Sequence, residues 1–196
     1  MMNRTGEVER KTKETNVRIL LKLDGEGKTD IASGIPFFDH MLTLFAVHGF
    51  FDLAVDAEGD LDVDLHHTVE DVGLVLGDAI SQALGERKGI RRYGNAVIPM
   101  DDALAAVSVD LSNRPFLVYN TPECIVSGIA LNPSLAKEFF RALVSRGGMN
   151  LHVNVAYGEN DHHVIESIFK AFGRALDQAV TLDERTSGIP SSKGSL

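Results

Sequence analysis

Apolar positions along this chain fall into strand-like and helix-like periods, and the order of those periods occurs twice. Residues 6–22 are strand-compatible, and Arg18-Ile19-Leu20-Leu21-Lys22-Leu23 is mostly apolar. Asp24-Gly25-Glu26-Gly27 reads as a hairpin turn, with residues 28–32 as the returning strand. Pro36 suits a first helical turn, and Phe38, Met41, Leu42 and Phe45 give residues 37–50 a helical face. Residues 51–57 alternate like a strand. A long helix is expected over residues 66–86, with Val69, Val72, Leu76, Ile80 and Leu84 along one apolar stripe.

The second half repeats the plan. Residues 103–110 and 115–120 read as paired strands around the turn Ser112-Asn113-Arg114. Asn132-Pro133-Ser134 opens a helix that runs towards Arg146, and Gly147-Gly148 stops it. Residues 150–157 alternate, with Leu151, Val153 and Val155 on one side. A last helix is expected over residues 162–181, with Ile165, Phe169, Phe172 and Leu176 at helical spacing. Residues 187–196 form a Gly/Ser/Pro tail without apolar periodicity, a composition that stays disordered unless a partner or ligand holds it. Duplication of this kind predicts an α+β fold in which each half is an open sheet covered on one face by two helices. Pairing the two helical layers would bury both apolar faces.

Composition narrows the class. The chain has 196 residues, with 19 Lys plus Arg against 28 Asp plus Glu, a net charge of −9. Such a chain is a poor binder of polyanions, so neither nucleic acid nor a membrane surface is the expected partner. No apolar run reaches the length of a membrane span. Residues 1–13 are polar where a secretory signal would be apolar. Cys124 is the only cysteine, which excludes an intrachain disulfide and a Cys-based zinc site. The expected compartment is the cytoplasm.

Histidine is the compositional oddity, because four of the seven occur as two adjacent pairs. His66-His67 and Glu70 open the long helix of the first half, and His162-His163 and Glu166 open its counterpart. Helical residues four apart share a face, so His66 with Glu70, and His162 with Glu166, can each chelate one ion. Neighbouring residues are about 100° apart around the axis, so His67 and His163 point towards different ions from His66 and His162. Two metal sites follow, each taking a His/Glu pair from one long helix and a lone histidine from the other. Imidazole and carboxylate without sulfur suit Mn, Fe or Zn. A single His-His pair is ordinarily a solvated accident, but two copies with the same glutamate at equivalent places call for a shared cause. Further ligands are expected from the first helix of each half: His40, with His48 two turns later, and Glu138 at the equivalent place.

With these motifs in order, the sequence resembles the imidazoleglycerol-phosphate dehydratases of histidine biosynthesis over essentially its whole length. The resemblance rests on Phe37-Phe38-Asp39-His40-Met41, on Asp64-Leu65-His66-His67-Thr68-Val69-Glu70-Asp71 and on Pro99-Met100-Asp101-Asp102-Ala103. It continues through Asp110-Leu111-Ser112-Asn113-Arg114-Pro115, His162-His163-Val164-Ile165-Glu166 and Pro190-Ser191-Ser192-Lys193-Gly194. It implies a single domain over residues 1–183, made of repeats 1–90 and 91–183, with a tail at 184–196 that helps to bind substrate phosphate. Each repeat would hold a roughly four-stranded mixed sheet and two helices, packed between the sheets as in ribosomal protein S5 domain 2. It further implies two Mn2+ ions per subunit and a 24-subunit homo-oligomer with active sites between subunits. One ion would be held by His40, His67, His162 and Glu166, the other by His66, Glu70, His163 and Glu138. Many members have histidine where this chain has Glu138, and a carboxylate there keeps a hard ligand while adding negative charge. Asn113 stands where glycine is common, and asparagine also tolerates turn conformations.

The activity implied is a carbon–oxygen lyase reaction: imidazole glycerol phosphate loses water to give imidazole acetol phosphate. Arg92, Arg114, Ser192 and Lys193 match phosphate-binding positions, and cationic donors suit that task. Coordination of the substrate ring would ease removal of a proton that is otherwise not acidic. Glu14 is assigned acid/base work beside His40, His67 and Glu166, and His48 a substrate contact. Asp101 is expected to orient a neighbouring group. Two rival classes use similar residues. A binuclear metallohydrolase would release phosphate, and a ferritin-like storage shell would show Glu before His on four long helices.

Overall fold

The alternation in each half builds one four-stranded sheet, and the helical stripes of both halves meet between the two sheets. This computed structural model describes residues 4–122 and 131–194; Cys124, the first residues and the last two of the expected tail lie outside them. The first half runs β1 (Thr5–Lys11), β2 (Thr15–Lys22), β3 (Thr29–Ala32), α1 (Pro36–Gly49), β4 (Asp52–Gly59) and α2 (His66–Leu84). The second runs β5 (Tyr93–Met100), β6 (Ala103–Asp110), β7 (Phe116–Asn120), α3 (Pro133–Gly147), β8 (Asn150–Tyr157) and α4 (Asp161–Val180). The sheet orders are β1-β2-β4-β3 and β5-β6-β8-β7, so the halves share one topology. In both, the outer member of the last pair is parallel to its neighbour and the other pairings are antiparallel.

Both expected hairpins are corrected here. Residues 24–28 do not fold β3 back onto β2, because β4 enters between them and β3 pairs parallel to β4 through α1. The backbone N–H groups of Glu26 and Lys28 donate to Asp52 Oδ1 at 2.7 and 3.1 Å, which ties the segment across the start of β4. Likewise β8 enters between β6 and β7. The turn at 112–114, with Asn113 at φ 57°, crosses the start of β8, where Asn150 Nδ2 donates to Ser112 Oγ and to Arg114 O. The first residue of each inserted strand thus fastens the crossing loop. Strand β5 adds an edge that the hydropathy pattern does not announce. Its sheet-inward positions are the small or modest Gly94, Ala96 and Ile98, while Tyr93 and Val97 face outward.

Inward residues of β2, β4, β6 and β8 (Val17, Ile19, Val55, Val107, Leu151 and Val153 among them) form the sheet side of the core. Phenylalanines cross-link the helices: Phe45 stacks on Phe172 at 5.1 Å and Phe139 on Phe169 at 5.4 Å. Helix α1 packs on α4, and α2 on α3. The approach is close because glycine faces backbone at each crossing. A Cβ at Gly77 of α2 would lie 2.5 Å from the Leu143 carbonyl of α3; one at Gly173 of α4 would lie 2.5 Å from the Phe45 carbonyl of α1.

The tail also departs from expectation. Residues 187–194 are held by the chain itself, since Gly89 N–H donates to Gly188 O at 2.9 Å and Arg92 Nη1 donates to Pro190 O at 2.8 Å. Two tail carbonyls thus accept from donors of the segment before β5.

Candidate metal centre

Two of the predicted ligands come from α4 and one from α1. Asn160 caps α4, accepting from His162 N–H, and so starts the helix where His162 and Glu166 fall one turn apart. The parallel packing of α1 then brings in His40. His162 Nε2 lies 3.0 Å and His40 Nε2 3.6 Å from the same oxygen, Glu166 Oε2. These three ligand atoms lie within 4.8 Å of one another, the one such group of three among the described residues. Phe37 meets the His162 ring edge-on at 5.0 Å. Glu166 is buried, and Lys170 Nζ stands 2.6 Å from its other oxygen. Burial opposes ionisation of that carboxyl, but Lys170 and then His162 outweigh it and hold the pKa below the ordinary value. Two imidazoles and an ionised carboxylate converging on one space fit a divalent first-row cation.

The counterpart in the other half is looser. His66 Nε2 lies 3.9 Å from Glu70 Oε2, one turn along α2. Glu138 of α3 shares a cleft of about 400 Å³ with His66, Asp64, Leu65, Asn132, Ser134 and Leu135. Its carboxylate meets Arg141 Nη1 at 3.3 Å. Glu138 occupies the place on α3 that His40 occupies on α1, as the glycine contacts demonstrate. Gly77 faces Leu143 O and Gly147 N; Gly173 faces Phe45 O and Gly49 N, so Leu143 corresponds to Phe45 and Gly147 to Gly49.

The other two expected histidine ligands, His67 and His163, are not part of the group formed by His40, His162 and Glu166. Each has a carboxylate at Nδ1. His67 Nδ1 lies 3.0 Å from Asp60 Oδ2 and 3.9 Å from Glu14 Oε2, and the Asp60 hydrogen bond raises its pKa. His163 Nδ1 is hydrogen-bonded to Asp102, which also accepts from the N–H groups of Glu159 and Asn160 at 2.6 and 3.0 Å. His163 first, and those two amides next, drive the Asp102 pKa far below the usual carboxylate range. An Nδ1–H donated to a carboxylate leaves Nε2 with its lone pair outward, the tautomer that a metal ligand needs. Asp101, expected to do the orienting, is mostly exposed and lies 3.5 Å from Nε2 instead. Asp60 and Asp102 are the residues that sequence reasoning missed. Only an acidic residue next to Asp101 hinted at the second.

A second cavity, about 410 Å³, is lined by Arg92, Tyr93, Ser112, Arg114, Ser191, Ser192 and Lys193. Arg92 is not a solvated surface charge: it is buried, held at φ 72°, and its guanidinium meets Asp110 at 2.7 and 3.2 Å. The tail supplies one wall, Arg114 of the crossing loop another. His48, at the end of α1, is pushed to lower pKa by burial and then by Lys170 and Arg174.

The chain is similar to known proteins over most of its length. The sequence model of the imidazoleglycerol-phosphate dehydratase family matches residues 33–176. The imidazoleglycerol-phosphate dehydratase of Syntrophobacter fumaroxidans is 61% identical over 98% of each chain. That of Geobacter sulfurreducens is 53% identical over the full length of both. Two solved structures share the fold at 37% identity. The Staphylococcus aureus imidazoleglycerol-phosphate dehydratase superposes with a TM-score of 0.80 over 91% of this chain and 99% of its own. The Pyrococcus furiosus enzyme does so at 0.83 over 96% and 100%.

Proposed function

The chain belongs to the imidazoleglycerol-phosphate dehydratase family, and from that premise we propose that it removes water from imidazole glycerol phosphate through a two-metal site shared between subunits. As a member it is a hydro-lyase of histidine biosynthesis. The observation that carries the finer reading is the convergence of His40, His162 and Glu166 on one space.

In this reading His40, His162 and Glu166 hold one Mn2+, completed by His67 of a neighbouring subunit. His66, Glu70 and Glu138 hold the other, completed by His163 in the same way. The supporting argument is orientation: the lone histidines are tautomerically prepared yet lie outside both clusters of their own chain. Bound cations would supply Lewis acidity that makes a ring N–H of the substrate easier to lose. The chain's own residues do the rest. Arg92, Arg114 and Lys193, with Ser192, fix the phosphate; the tail (residues 184–196) closes that wall. Glu14, near His67 and open to solvent, carries the proton between the glycerol carbons and water. His48, whose pKa is pushed down by burial first and then by Lys170 and Arg174, offers the substrate a hydrogen bond. The assembly is a cytoplasmic 24-mer, with residues 1–183 as its folded unit.

The test uses purified protein and imidazole glycerol phosphate. Chelation abolishes turnover and added Mn2+ restores it, with imidazole acetol phosphate as product. Release of inorganic phosphate in its place would assign the site to a metallohydrolase. Turnover undiminished by exhaustive chelation would remove the metals from the reaction.

A further inference from the structure

The two clusters are related by the internal duplication, yet their donors are not the same. His162 corresponds to His66 and Glu166 to Glu70. The matched glycine contacts at Gly77 and Gly173 make Glu138 the counterpart of His40. One cluster therefore offers two imidazoles and one carboxylate, the other one imidazole and two carboxylates. Charge widens the difference. Glu166 is neutralised by Lys170, which stands 2.6 Å away with its side chain only 17% exposed. The cation beside Glu138 is Arg141, whose side chain is 73% exposed and screened by water. Asp64, which accepts from His66 N–H at 2.7 Å, lines the same cleft as Glu138 and adds negative charge there.

We infer that the two metal sites of this chain are chemically unequal, with the Glu138 site selecting the harder cation. Oxygen donors favour Mn2+ relative to Zn2+, whereas each added imidazole shifts the balance towards Zn2+. The Glu138 site is the one that retains manganese when zinc competes, and the His40 site is the one that exchanges. The inference rests on the two-metal reading above, and it places the source of the inequality in a single side chain. Glu138 lies on the helix surface, outside the apolar core, so its replacement leaves the packing of α3 intact.

The decisive measurement is Zn2+ titration of the Mn2+-loaded full-length protein, with released Mn2+ followed by its free-ion paramagnetic resonance signal. Two release steps are expected, separated by about tenfold or more in free Zn2+. Glu138→His should merge them at the lower concentration, and His40→Glu should merge them at the higher one. A single step in the unaltered protein, or two steps that Glu138→His leaves in place, overturns the inference while two bound Mn2+ per chain preserve the two-metal reading. Failure to load two Mn2+ at the outset would overturn both.

Discussion

A histidine binds a cation only through a nitrogen without a proton, so the partner of the other ring nitrogen decides whether it can serve. Asp102 decides it for His163, and Asp60 for His67. Asp102 is fixed from the far side: it accepts two backbone N–H groups at the start of α4, so it cannot swing away from the ring. Asp102→Asn removes the charge and can present an amide N–H to the ring, which favours the wrong tautomer. The expected result is a loss of roughly 10–100-fold in affinity for one of the two metals, measured by equilibrium dialysis, with an unchanged urea midpoint. At this scale the sequence was legible where chemistry follows the helical repeat. The pairings of His66 with Glu70 and of His162 with Glu166 could be read from spacing alone, since i and i+4 share a face by geometry. Asp60 and Asp102 could not, because their contacts run from turns to helices far along the chain, and no local period records such a meeting.

At the scale of elements, what brings His40 to Glu166 and Glu138 to His66 is the close parallel packing of helices on glycine. Gly77→Ala places a methyl group 2.5 Å from the Leu143 carbonyl, and backbone cannot yield as a flexible side chain would. Helices α2 and α3 must separate. The expected cost is about 1–3 kcal/mol, read as a lowered urea midpoint with unchanged slope. The same separation draws Glu138 from His66, so loss of metal from that site should accompany the destabilisation. Each helix was foreseen to within two residues because a stripe of 14 to 20 residues is a strong signal. Strand partners were not. A hairpin and a crossing loop share turn residues and flanking alternation; the difference lies in β4 and β8, strands that arrive later and insert. Asp52 and Asn150 fasten those crossings, but nothing near them in sequence says so. Strand β5 escaped for another reason: it turns small residues inward and large ones outward, inverting the usual contrast.

For the whole molecule, the unequal burial of the ligands carries the argument. His40, His66 and Glu70 each keep more than two-fifths of their side chains exposed although they belong to candidate metal sites. His67 and His163 each have a carboxylate at Nδ1, and neither belongs to the group formed by His40, His162 and Glu166. In the proposed reading one chain supplies both parts, cluster and lone histidine, to sites assembled across a symmetric contact. Complementation distinguishes this from a site completed within the chain. His40→Ala breaks a cluster and His67→Ala removes a lone ligand, so each homogeneous assembly should be inactive. Where the two variants are dissociated, mixed in equal amounts and reassembled, a site that takes its cluster from one chain and its lone histidine from another is intact in about a quarter of random pairings. Dehydratase activity should return to about that fraction of the unaltered enzyme. Should each site draw both parts from one chain, every site would still carry a lesion and the mixture would stay inactive.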